Sequence, residues 1–201
     1  MYKYESKDLW NFEVVNASHP YFKYKFTRRK DFDRPTGNGI YMWVANLIDG
    51  TKFVCYTGKY VGNKDKVYEM RWCYHINSKT HKGVDIGFGN EQKFLKTFKP
   101  ILEEFGADTS LELFEGKLKQ GPAQAAKNRT RFSLKYWDTL DMNNPFTIYW
   151  FPVDKPTDDI SYLEAKVINP KVNGEINNEY NSEVPTLSVE DAIKFIEKTL
   201  Y

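Results

Sequence analysis

Apolar positions dominate two runs separated by a turn signal. Gly39-Ile40-Tyr41-Met42-Trp43-Val44-Ala45-Asn46-Leu47-Ile48 reads as a strand, Asp49-Gly50 as a hairpin turn, and Lys52-Phe53-Val54-Cys55-Tyr56-Thr57-Gly58 as the returning strand. Upstream, Phe22-Lys23-Tyr24-Lys25-Phe26 alternates aromatic with basic, the period of a half-buried strand. Arg28-Arg29-Lys30 and a breaker-rich loop through Pro35 and Gly37 follow. Downstream, a polar loop over Gly62-Asn63-Lys64-Asp65 leads into a helix predicted from Val67 to Asn77.

The pattern then becomes less regular. A helical spacing near Lys93 to Phe105 carries Pro100, and Leu111-Glu112-Leu113-Phe114-Glu115 reads as a short strand. Pro122, a favoured first helical residue, opens a helix running towards Leu140. Phe146-Thr147-Ile148-Tyr149-Trp150-Phe151-Pro152-Val153 is a third buried strand. Asp158-Asp159 caps a helix through Ile168, which Asn169-Pro170 ends. Ser188 caps a last helix, whose Ile193, Ile196 and Leu200 share one face.

Composition adds mainly exclusions. The 201 residues are enough for one domain, or one domain with a large insertion. With 41% hydrophobic and 28% charged residues, the chain has a globular composition. No apolar run is long enough to span a membrane, so no membrane partner is expected. The first residues lack an apolar signal core, so a cytoplasmic location is expected. Cys55 and Cys73 are too few for a disulfide framework or a four-thiolate zinc site. A net charge of +2 proves no nucleic-acid partner. The 16% aromatic content, with several tyrosines beside lysines, suits either base contacts or a snorkelling surface.

The chemistry-bearing residues have a recognisable order. Gly39-Ile40-Tyr41 and Tyr56-Thr57-Gly58 lie on the two hairpin strands, and Lys59 follows at once. Arg71 and His75 stand four apart on the next helix, on one face. Glu164 lies in the helix after the third strand, and Pro170 and Asn173 follow it. This series resembles the GIY-YIG nuclease family. Thr57 replaces Ile, and the loop before Arg71 and the insertion before the third strand are both long for the family. The spacing from Glu164 to Asn173 is short, so Asn177 or Asn178 is an alternative for the Asn. The resemblance covers about a third of the chain and is nearest in layout to the restriction-endonuclease branch.

The resemblance implies an α+β fold, with a small three-stranded antiparallel sheet flanked by helices. Residues 39–81 and 145–178 form its catalytic core. Residues 1–38 are expected as an N-terminal arm, 82–144 as a helical insertion, and 179–201 as a C-terminal amphipathic helix. The implied function is an Mg²⁺- or Mn²⁺-dependent endonuclease acting on double-stranded DNA, of restriction type or encoded by a phage or mobile element, with a homodimer among the arrangements it implies. The alternatives are a non-catalytic nucleic-acid-binding module and a structure-specific repair nuclease. Glu164 is the expected metal ligand, Arg71 braces the developing charge, and Gly39, Gly58 and Asn173 support the site. Tyr41 is the favoured general base, with its pKa lowered by Lys59, Arg71 and the metal. Tyr56 orients the phosphate, with those two roles exchangeable, and His75 hydrogen-bonds a tyrosine or the reacting oxygens.

Other constellations are weaker. Glu115-Gly116-Lys117 with Asp108, and Glu164-Ala165-Lys166, are too common in type to point to another nuclease class. Cys73, His75 and His81 fall short of a zinc site. On the insertion, Lys127, Arg131 and Lys135 recur every four residues with Arg129 beside them. That stripe reads as a DNA-binding face or a solvated one.

Overall fold

The computed structural model describes residues 1–21, 24–62, 66–79, 92, 94–114, 131–168 and 187–201. It begins with β1 (Tyr2–Glu5), the short α1 (Ser6–Leu9), β2 (Trp10–Val14) and β3 (Tyr24–Arg28). The hairpin of β4 (Gly39–Asn46) and β5 (Lys52–Tyr60) follows. A π-helical turn, Tyr68–Trp72, runs into α2 (Cys73–Lys79), and a second, Phe94–Phe98, into α3 (Lys99–Glu104). After helical residues 131–136 come β6 (Phe146–Pro152), α4 (Thr157–Ile168) and α5 (Val189–Leu200).

The fold is α+β, but its main sheet has four strands rather than the expected three, in the order β1-β6-β4-β5 and antiparallel throughout. The added strand is β1, which pairs along β6 from Tyr2↔Trp150 to Glu5↔Thr147. Four residues with mixed polarity carry too little alternation to announce a strand; the ladder offered by β6 makes it one. A separate two-stranded sheet joins β2 to β3.

Both faces of the main sheet are buried, which is why β4 reads as an unbroken apolar run. Ile40, Met42 and Val44 face α4 and α5, packing with Ile160, Leu163, Val167, Ala192 and Ile196. Tyr41, Trp43 and Ala45 face the other way, towards Trp10, Trp72 and Ile76. The first 38 residues are thus partly built into the core: Leu9 and Trp10 are buried there, and Tyr68 donates its hydroxyl to the Leu9 carbonyl at 2.7 Å.

Local chemistry explains most boundaries. Gly50 takes a positive φ of 86° in the β4–β5 turn, and the Asp49 carboxylate accepts the Thr51 N–H. Ser188 Oγ accepts the Asp191 N–H at 3.1 Å, capping α5 as expected. Asp158 and Asp159 instead lie within the first turn of α4, where carboxylates favour the helix dipole, and do not cap it. Pro100 sits at the start of α3, where its missing N–H costs nothing. Leu111–Phe114 forms a 3-10 turn, not the expected strand, because Asp108 accepts the Ser110 N–H and curls the chain into it. Phe22, Lys23 and the expected helix start at Pro122 lie outside the described residues. Among those described, no helix is long and apolar enough to cross a membrane.

Candidate active site

Two glycines allow the site to close. A Cβ on Gly39 would stand 2.2 Å from the Phe151 carbonyl oxygen, so only glycine lets β6 pair this tightly at the start of β4. A Cβ on Gly58 would meet the Tyr56 hydroxyl at 2.9 Å and the Tyr41 hydroxyl at 3.0 Å. Gly58 therefore leaves the space into which both phenols point.

A β-bulge brings the tyrosines to one face. Tyr41 pairs with Gly58 and Trp43 with Tyr56, but Val44 already pairs with Val54, which leaves Cys55 as the extra residue. Without it, Tyr56 would slip by one position and point towards α4 and α5. With it, the Tyr41 and Tyr56 ring centroids lie 6.0 Å apart on the α2 side. The apolar run Phe53-Val54-Cys55 carries no turn or glycine signal for this bulge, and its role was not visible in the sequence.

His75 joins them from α2. Its Nε2 is 3.0 Å from the Tyr41 hydroxyl, and its ring centroid is 4.6 Å from that of Tyr56. His75 is 5% exposed and Tyr41 1%, whereas Tyr56 is half-buried. Trp43 and Trp72 complete the aromatic wall, at 6.0 Å from His75 and 6.4 Å from Tyr41. Neither was singled out as a site residue from the sequence, where both read as ordinary core. The π-helical turn before α2 buries Val67 and Tyr68 and, five residues on, Trp72 and Cys73, while Arg71 stays exposed.

On the other side of β5, Lys59 Nζ lies 2.8 Å from Glu164 Oε2 on α4, with both side chains partly exposed. The two layers communicate at the tyrosines. Burial pushes the Tyr41 phenol well above its ordinary pKa. Tyr56 adds to that rise through charge and hydrogen bonding, and Glu164 through charge, while Arg71 pulls the other way. Within the chain itself desolvation outweighs the nearby cation, whereas the expected lowering also counts the charge of a metal.

Glu164 is the carboxylate expected on the metal. Among the described residues no three His, Cys, Asp or Glu side chains gather into a metal-holding group. This donor set fits Mg²⁺ held through one carboxylate, with waters and a substrate phosphate as the remaining ligands. It does not fit a closed protein cage.

The structure points Tyr41 and Tyr56 into the Gly58 gap with His75 bonded to Tyr41, pairs Lys59 with Glu164 on the opposite face of the sheet, and leaves Arg71 exposed on the π-helical turn, where it and Glu164 act on Tyr41 through charge. Asn173, Asn177, Asn178, Lys127 and Arg129 lie outside the described residues, as do Glu115 and His81. Of the insertion stripe, Arg131 is paired with Glu104 at 3.1 Å and Lys135 lies over the Tyr136 ring. No family model matches this chain, and comparison with characterised proteins and with solved structures gives no match.

Proposed function

We propose that this chain is a metal-dependent endonuclease of the GIY-YIG type, hydrolysing phosphodiester bonds in double-stranded DNA. The observation that carries the reading is the gap left by Gly58, into which two phenols point with an imidazole bonded to one of them, and the electrostatic reach of a guanidinium and one carboxylate to the buried phenol. Phosphodiester hydrolysis needs a proton acceptor for water, positive charge for the phosphoryl oxygens and help for the leaving oxygen. Bound through Glu164, Mg²⁺ or Mn²⁺ would supply charge neutralisation.

The chain's own groups divide the remaining work. Arg71, exposed beside the tyrosines, faces the phosphoryl oxygens with its planar fork. Tyr56 is the less buried of the two phenols, so it is the one to meet the attacking water; as the phenolate, its own proton having first passed to solvent, it would accept the water's proton. Tyr41, buried and bonded to His75, holds Tyr56 in place and keeps its own proton at neutral pH. This exchanges the two tyrosine roles relative to the family's pattern, on the ground of their different burial. Lys59 balances Glu164 until substrate and metal arrive.

The test is incubation of the chain with supercoiled plasmid, with and without Mg²⁺. Metal-dependent nicking or linearisation that disappears in Glu164→Gln is the expected result. DNA binding with no cleavage in Mg²⁺ or Mn²⁺ would replace the nuclease by a binding module.

A further inference from the structure

The end of β5 and the π-helical turn before α2 enclose a pocket of about 360 Å³, lined by Tyr60, Val61, Gly62, Lys66, Met70 and Arg71. That size is at the small end of ligand pockets, about 300–1,000 Å³. Two of its lining residues are cations. Lys66 and Arg71 are exposed, while Glu69 between them is paired with Arg34, and Glu164 across the sheet with Lys59. Arg34 takes only the Oε1 of Glu69, so its other oxygen, buried and without a hydrogen-bond partner among the described residues, leaves acid charge beside these cations. The apolar part of the wall includes Val61 and Met70, and Met70 is 63% exposed. A long apolar side chain held this far into solvent beside two cations suits a sugar or base beside its phosphate. Tyr60, two residues past Gly58 on β5, lines the pocket, and Arg71 acts electrostatically on Tyr41.

We propose that this pocket is a subsite for the nucleotide next to the scissile phosphate. Its phosphate lies on Lys66 and its sugar against Met70 and Val61, while Arg71, which faces the scissile phosphate, is the wall between the two. The inference rests on the endonuclease reading and names a positioning contact outside the reacting centre. Lys66 contributes charge and Met70 contributes apolar contact, so the two are separable by salt. A phosphate-binding lysine releases about 0.9 of a counterion on duplex DNA, whereas an apolar contact releases none.

The experiment measures affinity for a short duplex across a range of salt concentrations, using full-length chain carrying Glu164→Gln to prevent cutting. Lys66→Ala should flatten the slope of log affinity against log salt by about 0.9. Met70→Ala should weaken binding several-fold with the slope unchanged. Lys198→Ala, on the exposed side of α5, is the control and should leave both unchanged. A Lys66→Ala slope equal to that of the control overturns the subsite, as does Met70→Ala binding like the parent. Plasmid cleavage by the chain with Glu164 intact separates the two readings. Cutting with an unaltered Lys66→Ala slope removes the subsite alone; a flattened slope without cutting keeps the subsite and removes the nuclease. Absence of DNA binding overturns both.

Discussion

Lys59 Nζ lies 2.8 Å from Glu164 Oε2, so the carboxylate assigned to the metal is already matched by a cation of the chain itself. The ammonium and a divalent ion compete for the same oxygens. Lys59→Met should therefore strengthen Mn²⁺ binding in the absence of DNA, and Glu164→Gln should remove it. Electron paramagnetic resonance of free Mn²⁺ reads both. Because both side chains are partly exposed, the pair is worth at most about 1 kcal/mol, and neither change should unfold the chain. Unaltered Mn²⁺ affinity in Lys59→Met would show that the metal does not compete with this pair.

Tyr41 and Tyr56 share the Gly58 gap but differ in burial, and that difference separates their roles. Tyr56→Phe should slow cleavage by roughly 10²–10⁴, the usual contribution of a general base, with little change in melting temperature. Tyr41→Phe removes the hydroxyl bonded to His75, and should cost about 1 kcal/mol or more of stability. Its rate loss should be the smaller of the two. The reverse order, with Tyr41→Phe fully stable and the slower enzyme, would return the base to Tyr41.

Alkaline pH should expose the buried phenols. Burial is the first cause of the raised pKa of Tyr41 and Tyr68, and of Tyr4 and Tyr21, which are pushed up to about 12. In the unfolded chain the same phenols ionise near pH 10. The fold loses no stability from them below that value and loses it progressively as pH rises through the folded values. Urea unfolding midpoints should be flat from neutral pH up to about 9 and fall steeply beyond about 10. Tyrosinate absorbance should lag behind that of the urea-unfolded chain. A midpoint independent of pH across this window would mean that these phenols are equally ionisable in both states.

The β4–β5 hairpin and the α5 cap were legible in the sequence because each depends on neighbours within a few residues. Asp49-Gly50 fixes its turn locally, and Ser188 reaches only to Asp191. Three other features were not legible: two are settled by distant partners, and in the third a local turn competes with an apolar alternation that points the other way. β1 exists because β6 offers an edge about 145 residues away along the chain. The bulge at Cys55 is fixed by how β5 meets β4, and it alone turns Tyr56 towards His75. The 3-10 turn at Leu111 follows from a turn closed by Asp108, which overrides the alternation of Leu111 and Leu113. At the site, residue identities and order were readable. The burial that raises the Tyr41 pKa was not, since it depends on side chains from other elements, Tyr56, Trp72 and His75 among them.

Thr57 gives a test of the sheet's far face. It pairs with Met42, opposite in orientation to Tyr56, and is 2% exposed. Among the described residues its Oγ1 has no hydrogen-bond partner. A buried hydroxyl left unpaired costs about 1–3 kcal/mol. Valine has nearly the same shape, keeps the β-branch that suits a strand, and removes only the polar atom. Thr57→Val should therefore stabilise the chain by about 1 kcal/mol, raising the melting temperature by about 2–4 °C for a domain of this size. Cleavage should be unchanged, because the hydroxyl makes no hydrogen bond to any site residue among those described. Thr57→Ile adds one further carbon to a packed layer, and should gain less or lose about 1–3 kcal/mol through overpacking. A Thr57→Val chain that melts lower than the parent would mean that the hydroxyl is satisfied, and that the threonine is held there by a hydrogen bond rather than tolerated in an apolar layer.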